Sequence, residues 1–169
     1  MSRYGFEDSI RDGATKKLHF EPRLVDLHVD QESIDEAFDS LTSGLTTEEK
    51  EELSKSSAKR AVLLKAPERV SAVCQDIAQH FQEKVQPQGF GAQVVTIDRE
   101  SCVLYKKELD KHLPPEASDI VMSINSGETE YAEYRRDRDA EEKLLDRFRD
   151  PDDPLKIIIV TAKLLTGFD

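Results

Sequence analysis

The chain has 169 residues, of which 37% are hydrophobic and 35% are charged, and its formal net charge is −11. This length suits one domain, or one domain with an arm, and the acidic balance argues against strong DNA binding by the chain alone, because affinity for phosphate rests on clustered Lys and Arg. No apolar run approaches the roughly 18 residues of a membrane span, and residues 1–20 are too polar for a signal peptide, so we expect a cytoplasmic protein with no membrane partner.

The first part of the chain, residues 1–60, is predicted to form a connector and a helical arm. A helix beginning at Asp30 carries apolar residues at spacings of four and three. A second helix begins at Thr46, where Glu49 completes a capping-box pattern. Because this second helix has little apolar surface, we expect it to be mostly solvated. We expect residues 1–60 as a whole to form an arm that packs on neighbouring domains.

The segment that follows predicts a helix with one buried face. Pro67 suits its first turn, and the run Ala61–Leu64 before it fits either a helical turn or a short strand. Two cysteines, Cys74 and Cys102, are expected to be buried core thiols, because a disulfide framework or a zinc site needs more ligands at tighter spacing. For His80 a structural role is favoured over a metal ligand. Apolar side chains recur along the helix at helical spacing: Val70, Val73, Cys74, Ile77 and Phe81.

Three β-rich runs alternate with helical patterns over the rest of the chain. Strands are predicted at residues 92–96, 119–124 and 156–160, with helices at residues 100–112 and 131–149 between them. The last run is almost wholly β-branched, which is typical of a strand that is buried on both faces of a parallel sheet. This order predicts an α/β fold with a parallel sheet and right-handed connections.

The last strand leads into a loop with a hydroxyl, a turn and a carboxylate. Open α/β sheets bind ligands beyond the carboxyl ends of their strands, so this loop is a candidate binding loop. The spacing from Thr161 through Gly167 to Asp169 resembles motif V of superfamily 2 helicases and translocases. The string LLTGFD resembles, more narrowly, the motor (restriction, R) subunit of type I restriction-modification enzymes. The strings GFGAQVVTIDRESCVLYKKELDK and DGATKKLHFEPR resemble, respectively, motif IV and the segment after the first motor domain of those subunits.

The resemblance implies that residues 61–169 are part of the second of two RecA-like motor domains, truncated at motif V, and that residues 1–60 follow the first. In such motors ATP and Mg²⁺ lie between the two domains while DNA lies across both. The sequence has no G-x-x-x-x-G-K-[ST] phosphate loop and no magnesium-binding D-E-x-H string. We therefore expect ATP and Mg²⁺ to act in the full-length protein only, and this chain alone to be inactive.

The full-length enzyme that the resemblance implies is an ATP-dependent DNA translocase and endonuclease. Its implied partners are double-stranded DNA, upstream first motor and nuclease domains, and the methyltransferase and specificity subunits. Two other hypotheses stay open: the second motor domain of another superfamily 2 helicase, and a non-catalytic α/β binding module. The sequence downstream of this chain would distinguish the restriction subunit from another superfamily 2 helicase.

The resemblance also assigns residues to DNA contacts. Thr161 matches the motif V threonine that contacts the DNA backbone, which a hydroxyl can do without reading sequence. Thr96 and Arg99, at the exit of the motif IV strand, are candidates for the same contact. Further candidates follow the second strand: Ser123, Asn125 and Ser126.

The nucleotide side of motif V is matched by Gly167 and Asp169, whose carboxylate can accept a hydrogen bond from a ribose hydroxyl. Each assignment has a structural alternative. Thr161 can simply end a strand, and Arg99 can pair on the surface with Glu100 or Glu108, which contributes little energy.

Overall fold

The structure, a computed structural model, describes residues 5–14, 16, 21–23, 46 and 58–161. Apart from Thr46 itself, the arm helices predicted from Asp30 and from Thr46 lie outside these residues, as do Gly167 and Asp169. The α-helices of the described residues are α1 (Phe6–Arg11), α2 (Ala58–Lys65), α3 (Pro67–His80), α4 (Arg99–Leu109) and α5 (Arg138–Arg149). The strands are β1 (Ala92–Val95), β2 (Ser118–Val121) and β3 (Ile157–Val160).

The three strands form one parallel sheet in the order β1-β3-β2. Val95 of β1 and Val121 of β2 both lie opposite Val160, so the three strands end at the same level. Strand β2 ends three residues earlier than predicted, at Val121, which lies opposite the last residue of β3, its partner among the described strands. The predicted α/β class with a parallel sheet is confirmed, and it agrees with the RecA-like domain that the resemblance implies.

The central strand separates two layers of the core, and its four residues are all fully buried. Ile157 and Ile159 face α3 and α4, which contribute Cys74, Cys102 and other apolar side chains. Ile158 and Val160 face the opposite side, which is covered by α5 through its apolar stripe: Leu144, Leu145 and Phe148. A strand that packs against helices on both faces cannot alternate polar and apolar residues, which explains the sequence IIIV.

Local signals set the helix boundaries. The run Ala61–Leu64, left undecided from the sequence, lies inside α2. Pro67 occupies the first turn of α3 as predicted, and the chain continues beyond His80 as a π-helical turn, Phe81–Val85. The final helix starts seven residues later than predicted: the carboxylate of Asp137 accepts a hydrogen bond of 2.8 Å from the N–H of Ala140 and caps α5 at Arg138.

Both cysteines are free, fully buried thiols, as predicted. Burial raises the pKa of the Cys74 thiol to about 12, and burial also raises the pKa of Cys102. Both side chains therefore remain protonated and pack as small apolar groups.

A charged contact joins residues 21–23 to α3. Arg23 donates to both carboxylate oxygens of Asp76, at 2.9 and 2.7 Å, and its third nitrogen lies 2.7 Å from Nδ1 of His80. The hydrogen bond from Arg23 lowers the pKa of the Asp76 carboxyl. His80 thus has a structural neighbour, in agreement with the role predicted for it.

None of the described helices has the length and apolar character needed to cross a membrane.

Candidate nucleic-acid interface

Two of the predicted DNA-contacting residues lie side by side at the carboxyl edge of the sheet. Thr96 directly follows β1 and Thr161 directly follows β3. The N–H of Thr96 donates to the carbonyl of Val160 at 2.8 Å, which extends the pairing of the two strands by one residue. Thr161 is partly exposed. The parallel topology therefore brings these two threonines to a common rim.

The hydroxyl of Thr96 is already engaged within the chain. It lies 3.0 Å from the carbonyl oxygen of Asp98, 3.1 Å from Sγ of Cys102 and 3.3 Å from the carbonyl oxygen of Val160. These contacts fix the turn between β1 and α4. A contact of the Thr96 hydroxyl with DNA stays a prediction and would have to compete with them.

The turn that carries Arg99 is held in place by Asp98. One carboxylate oxygen of Asp98 accepts from the N–H of Ser101 at 2.8 Å and caps α4, and the other lies 2.7 Å from Nζ of Lys65. Partial burial opposes ionisation of Asp98, but the hydrogen bonds from Lys65 and Ser101 outweigh it and lower the pKa of the carboxyl. The first residue of α4 is thus presented from a fixed turn.

Arg99 contacts the loop that follows β2. Its guanidinium binds the carboxylate of Glu128, with Nη2 3.4 Å from Oε1, and Nη1 lies 3.4 Å from the carbonyl oxygen of Ser123. The guanidinium carbon also lies 5.3 Å from the ring centroid of Tyr131, within cation–π range. Because β3 separates β1 from β2 in the sheet, Arg99 links the exits of two strands that are not neighbours.

The structural alternative predicted Glu100 or Glu108 as the surface partner of Arg99, and this prediction was wrong. Glu100 instead binds Lys65, and the carboxylate of Glu108 accepts from Ser71 at 2.8 Å. Both glutamates lie on α4 with Arg99, but its side chain extends away from that helix towards the β2 loop.

The loop after β2, residues 125–135 and here called the rim loop, is organised around Glu128. Oε1 of Glu128 accepts from Nδ2 of Asn125 at 2.9 Å, and Oε2 lies 3.4 Å from the N–H of Asn125. Arg135 donates to the carbonyl of Asn125 at 2.9 Å and also to the carbonyl of Glu128. Hydrogen bonds from Arg99, and then from Asn125, lower the pKa of the Glu128 carboxyl to about 2.

A second ion pair fastens the end of the rim loop to β2. Nη2 of Arg136 lies 2.8 and 2.9 Å from the two carboxylate oxygens of Asp119, and Nη1 donates to the carbonyl of Ile120 at 2.6 Å. Both side chains are largely buried, at 21% and 26% exposed. The outer edge of β2 is therefore tied to the chain that leads into α5.

The rim offers hydroxyls, amides and the guanidinium group of Arg99, which are groups that bind phosphate oxygens. Among residues 58–161 and the shorter described pieces before them, no three His, Cys, Asp or Glu side chains converge to hold a metal ion. The roles predicted for Gly167 and Asp169 fall outside the described residues.

The sequence named Thr96, Arg99 and Thr161 as candidates, and their contact with DNA stays a prediction. It did not anticipate that Arg99 contacts Glu128 and Tyr131. The pairing of Arg99 with Glu128 joins residues 29 apart, and periodicity carries no information about such a pair. The only available signal was topological: in a parallel sheet, loops after different strands meet at one edge, so an acidic residue after β2 can reach a basic residue after β1.

The comparisons with known proteins point to one group. The chain is 32% identical, over its whole length, to a protein of Methanocaldococcus jannaschii named "Putative type I restriction enzyme MjaIXP endonuclease subunit", and it spans 17% of that protein. It is 31% identical, again over its whole length, to the type I restriction enzyme HindI endonuclease subunit of Haemophilus influenzae, of which it spans 16%. The chain therefore corresponds to about a sixth of these curated relatives.

A family model described as SWI2/SNF2 ATPase matches residues 1–51. No solved structure matches the chain. The sheet-bearing part that includes the rim lies beyond the region matched by the family model and is covered by the similarity to the restriction subunits.

Proposed function

The chain is similar along its entire length to one segment of type I restriction endonuclease subunits, and we propose from this that it is part of the DNA-translocating motor of such a subunit. Its role there is to contact the DNA backbone with the rim at the carboxyl edge of the sheet. With the residues that follow Thr161, it also forms one side of the ATP cleft. The DNA duplex, the first motor domain, the nuclease domain and the methyltransferase and specificity subunits are the partners that this role requires.

The observation that carries this proposal is the meeting of the predicted contact residues at one rim. The pairing of Thr96 with Val160 puts Thr96 beside Thr161, and Arg99 lies three residues beyond Thr96, at the start of α4. Hydroxyl and guanidinium groups at the end of a parallel sheet can bind phosphates in any sequence. A motor that moves along DNA needs such contacts, because it must hold every sequence it crosses.

This chain contains only part of the residues that a site for ATP and Mg²⁺ needs. The sequence has no phosphate loop, and phosphoryl transfer requires a phosphate cradle, magnesium ligands and a group that positions the attacking water. We assign these groups to other parts of the full-length subunit. This chain would contribute Gly167 and Asp169 on the facing side, where the carboxylate can accept from a ribose hydroxyl.

The test compares Thr161→Ala with Thr161→Ser in the intact subunit, because these two variants differ only in the hydroxyl. The quantity measured is the DNA concentration that half-maximally stimulates ATP hydrolysis. Loss of one hydrogen bond to a charged phosphate should raise that concentration about tenfold in the alanine variant, which corresponds to about 1.4 kcal/mol. The serine variant should stay near the unsubstituted protein. Equal behaviour of the two variants would remove the Thr161 hydroxyl from the DNA contacts.

A second candidate is the motor of another superfamily 2 helicase, which is favoured by the match of residues 1–51 to the SWI2/SNF2 ATPase model. The two candidates share the same rim chemistry and differ in their partners. Co-purification of the intact protein with a methyltransferase and a specificity subunit would favour the restriction enzyme. A motor active without them would favour the other helicase.

A further inference from the structure

The carboxylate of Glu128 occupies a set of donors that suits a phosphate. Around its two oxygens lie the guanidinium of Arg99, the side-chain amide of Asn125 at 2.9 Å and the N–H of Asn125 at 3.4 Å. A carboxylate and a phosphodiester both carry negative oxygens that accept charge-assisted hydrogen bonds from such groups. The donors belong to Arg99 and Asn125, two of the residues predicted to face DNA.

We propose that Glu128 is an intramolecular substitute for a DNA backbone phosphate, which it excludes from Arg99 until DNA displaces it. This proposal rests on the proposed function, because it concerns the same rim. In this proposal the rim loop neutralises the charge of the Arg99 guanidinium while DNA is absent. The occupant of the site is then exchanged, a carboxylate for a phosphodiester, without a new cation being needed.

The exposure of the pair makes this exchange feasible. The side chains of Arg99 and Glu128 are 36% and 30% exposed, so water and salt screen their attraction, and ion pairs of this exposure are weak. A deeply buried pair could not be opened so easily, since its charges would be left without solvent.

Arg99 remains in position when Glu128 leaves. Its guanidinium still has the Tyr131 ring, 5.3 Å from the guanidinium carbon, and the carbonyl oxygen of Ser123 at 3.4 Å. The rim loop keeps a separate support through Arg135, which binds two carbonyls of the loop and not the carboxylate. The proposed movement is therefore confined to the Glu128 side chain.

The net negative charge of the chain explains why covering a single cation of the rim would affect DNA binding. With a net charge of −11, the chain repels DNA at long range, and each rim cation makes a large difference to the remaining affinity. A carboxylate that covers Arg99 disfavours contacts with isolated DNA. The same site becomes available when other domains hold DNA against the rim at high effective concentration.

The experiment uses the 169-residue chain and a fluorescently labelled DNA duplex, with affinity measured by anisotropy over a range of low salt concentrations. Glu128→Gln keeps the shape of the side chain and removes its charge. The matched control is Glu116→Gln, which removes the same charge from an exposed residue next to the amino end of β2. We expect Glu128→Gln to raise affinity at least about threefold more than the control and to steepen the salt dependence by about 0.9, the value for one added phosphate contact.

The proposal requires that the gain in DNA affinity depend on Arg99. In the Arg99→Gln background, Glu128→Gln should raise affinity by no more than Glu116→Gln does, because only the general effect of removing one negative charge remains; this is the result of a double-mutant cycle for a direct pair. A gain that still exceeds that of the control without Arg99 overturns the proposal. So does a Glu128→Gln variant that binds no better than Glu116→Gln, or binds worse, because the carboxylate would then only hold the rim loop in shape.

A readout on the unsubstituted chain covers the case in which a variant fails to fold. Duplex titration followed by NMR should move the Arg99 Nε–H resonance and the Glu128 carboxyl resonance together, and absence of both movements overturns the proposal. With a folded Glu128→Gln variant, inorganic phosphate should move the Arg99 resonance in the absence of DNA, and an unmoved resonance also counts against the proposal. These readouts do not involve ATP hydrolysis, so failure of the Thr161 test leaves them intact, and their failure leaves the Thr161 test intact.

Discussion

The two outer strands of the sheet have the same length and the same partner, yet their environments differ. Val121 of β2 and Val95 of β1 flank Val160 at the same register position. Val121 is 1% exposed, whereas Val95 is 53% exposed. The β2 side is covered by α5, and the Arg136–Asp119 pair ties the chain before α5 to β2. On the β1 side, Val95 and the neighbouring Ile97 are open to solvent.

This difference shows that pairing in the sheet does not determine how much a strand contributes to stability. Both outer strands pair with β3 over four residues, but their apolar burial is unequal. Since burial is the dominant favourable term in folding, we expect the free energy of unfolding to depend far more on β2 than on the exposed face of β1.

The largest effect is expected for a matched pair of valine truncations. Val121→Ala removes buried methyl groups from a packed layer and should lower the free energy of unfolding by about 2 kcal/mol. Val95→Ala removes the same atoms from an exposed position and should change it by less than about 0.5 kcal/mol. Urea unfolding of both variants measures the difference, and equal losses would mean that β1 is as well covered as β2.

A smaller effect should follow removal of the ion pair on β2. Arg136→Ala leaves Asp119, 26% exposed, without the Nη2 donor that contacts both of its oxygens, and it frees the carbonyl of Ile120. We expect a loss of roughly 1 to 2 kcal/mol in the free energy of unfolding, because the remaining carboxylate is only partly solvated. Arg138→Ala, at the exposed start of α5, is the control for loss of an arginine. If the two variants unfold at the same urea concentration, the pair does not secure this side of the sheet.

The smallest effect is a pH dependence of the rim loop. The pKa of Glu128 is lowered from 4.5 to about 2, so the stability contributed by its contact with Arg99 is present above pH 4.5 and is lost as pH falls through about 2. The difference in urea midpoint between the unsubstituted chain and Glu128→Gln should therefore be largest at neutral pH and disappear near pH 2. A difference independent of pH would show that the charge of Glu128 does not stabilise the folded loop.

The sequence was sufficient for the strands, the parallel sheet and the buried helix faces because these follow from periodicity. The β-branched run Ile157–Val160 can be buried on two faces only in a sheet covered on both sides, and the apolar stripe of α3 appears where helical spacing puts it. The start of α5 was misplaced because residues 131–137 are as polar as the helix itself, and the Asp137 cap decides the boundary.

The ion pairs of the rim could not be predicted in the same way. The chain has 24 basic and 35 acidic residues, so every arginine has many possible partners, and local spacing favours the wrong ones. Arg99 has Glu100 and Glu108 on its own helix but binds Glu128, because the packing of the rim loop over the strand ends decides the distance. Side-chain partners that lie a whole strand apart can be identified only from the three-dimensional structure.

The contact of Arg23 with Asp76 has a mechanical consequence. Arg23 lies within the stretch that resembles the SWI2/SNF2 ATPase, and Asp76 belongs to a helix that packs on the sheet. Two nitrogens of Arg23 bind the two oxygens of Asp76, which fixes the relative orientation of the side chains as well as their separation. The side chains are 38% and 33% exposed, so added salt should weaken their attraction and loosen the connection between residues 21–23 and α3.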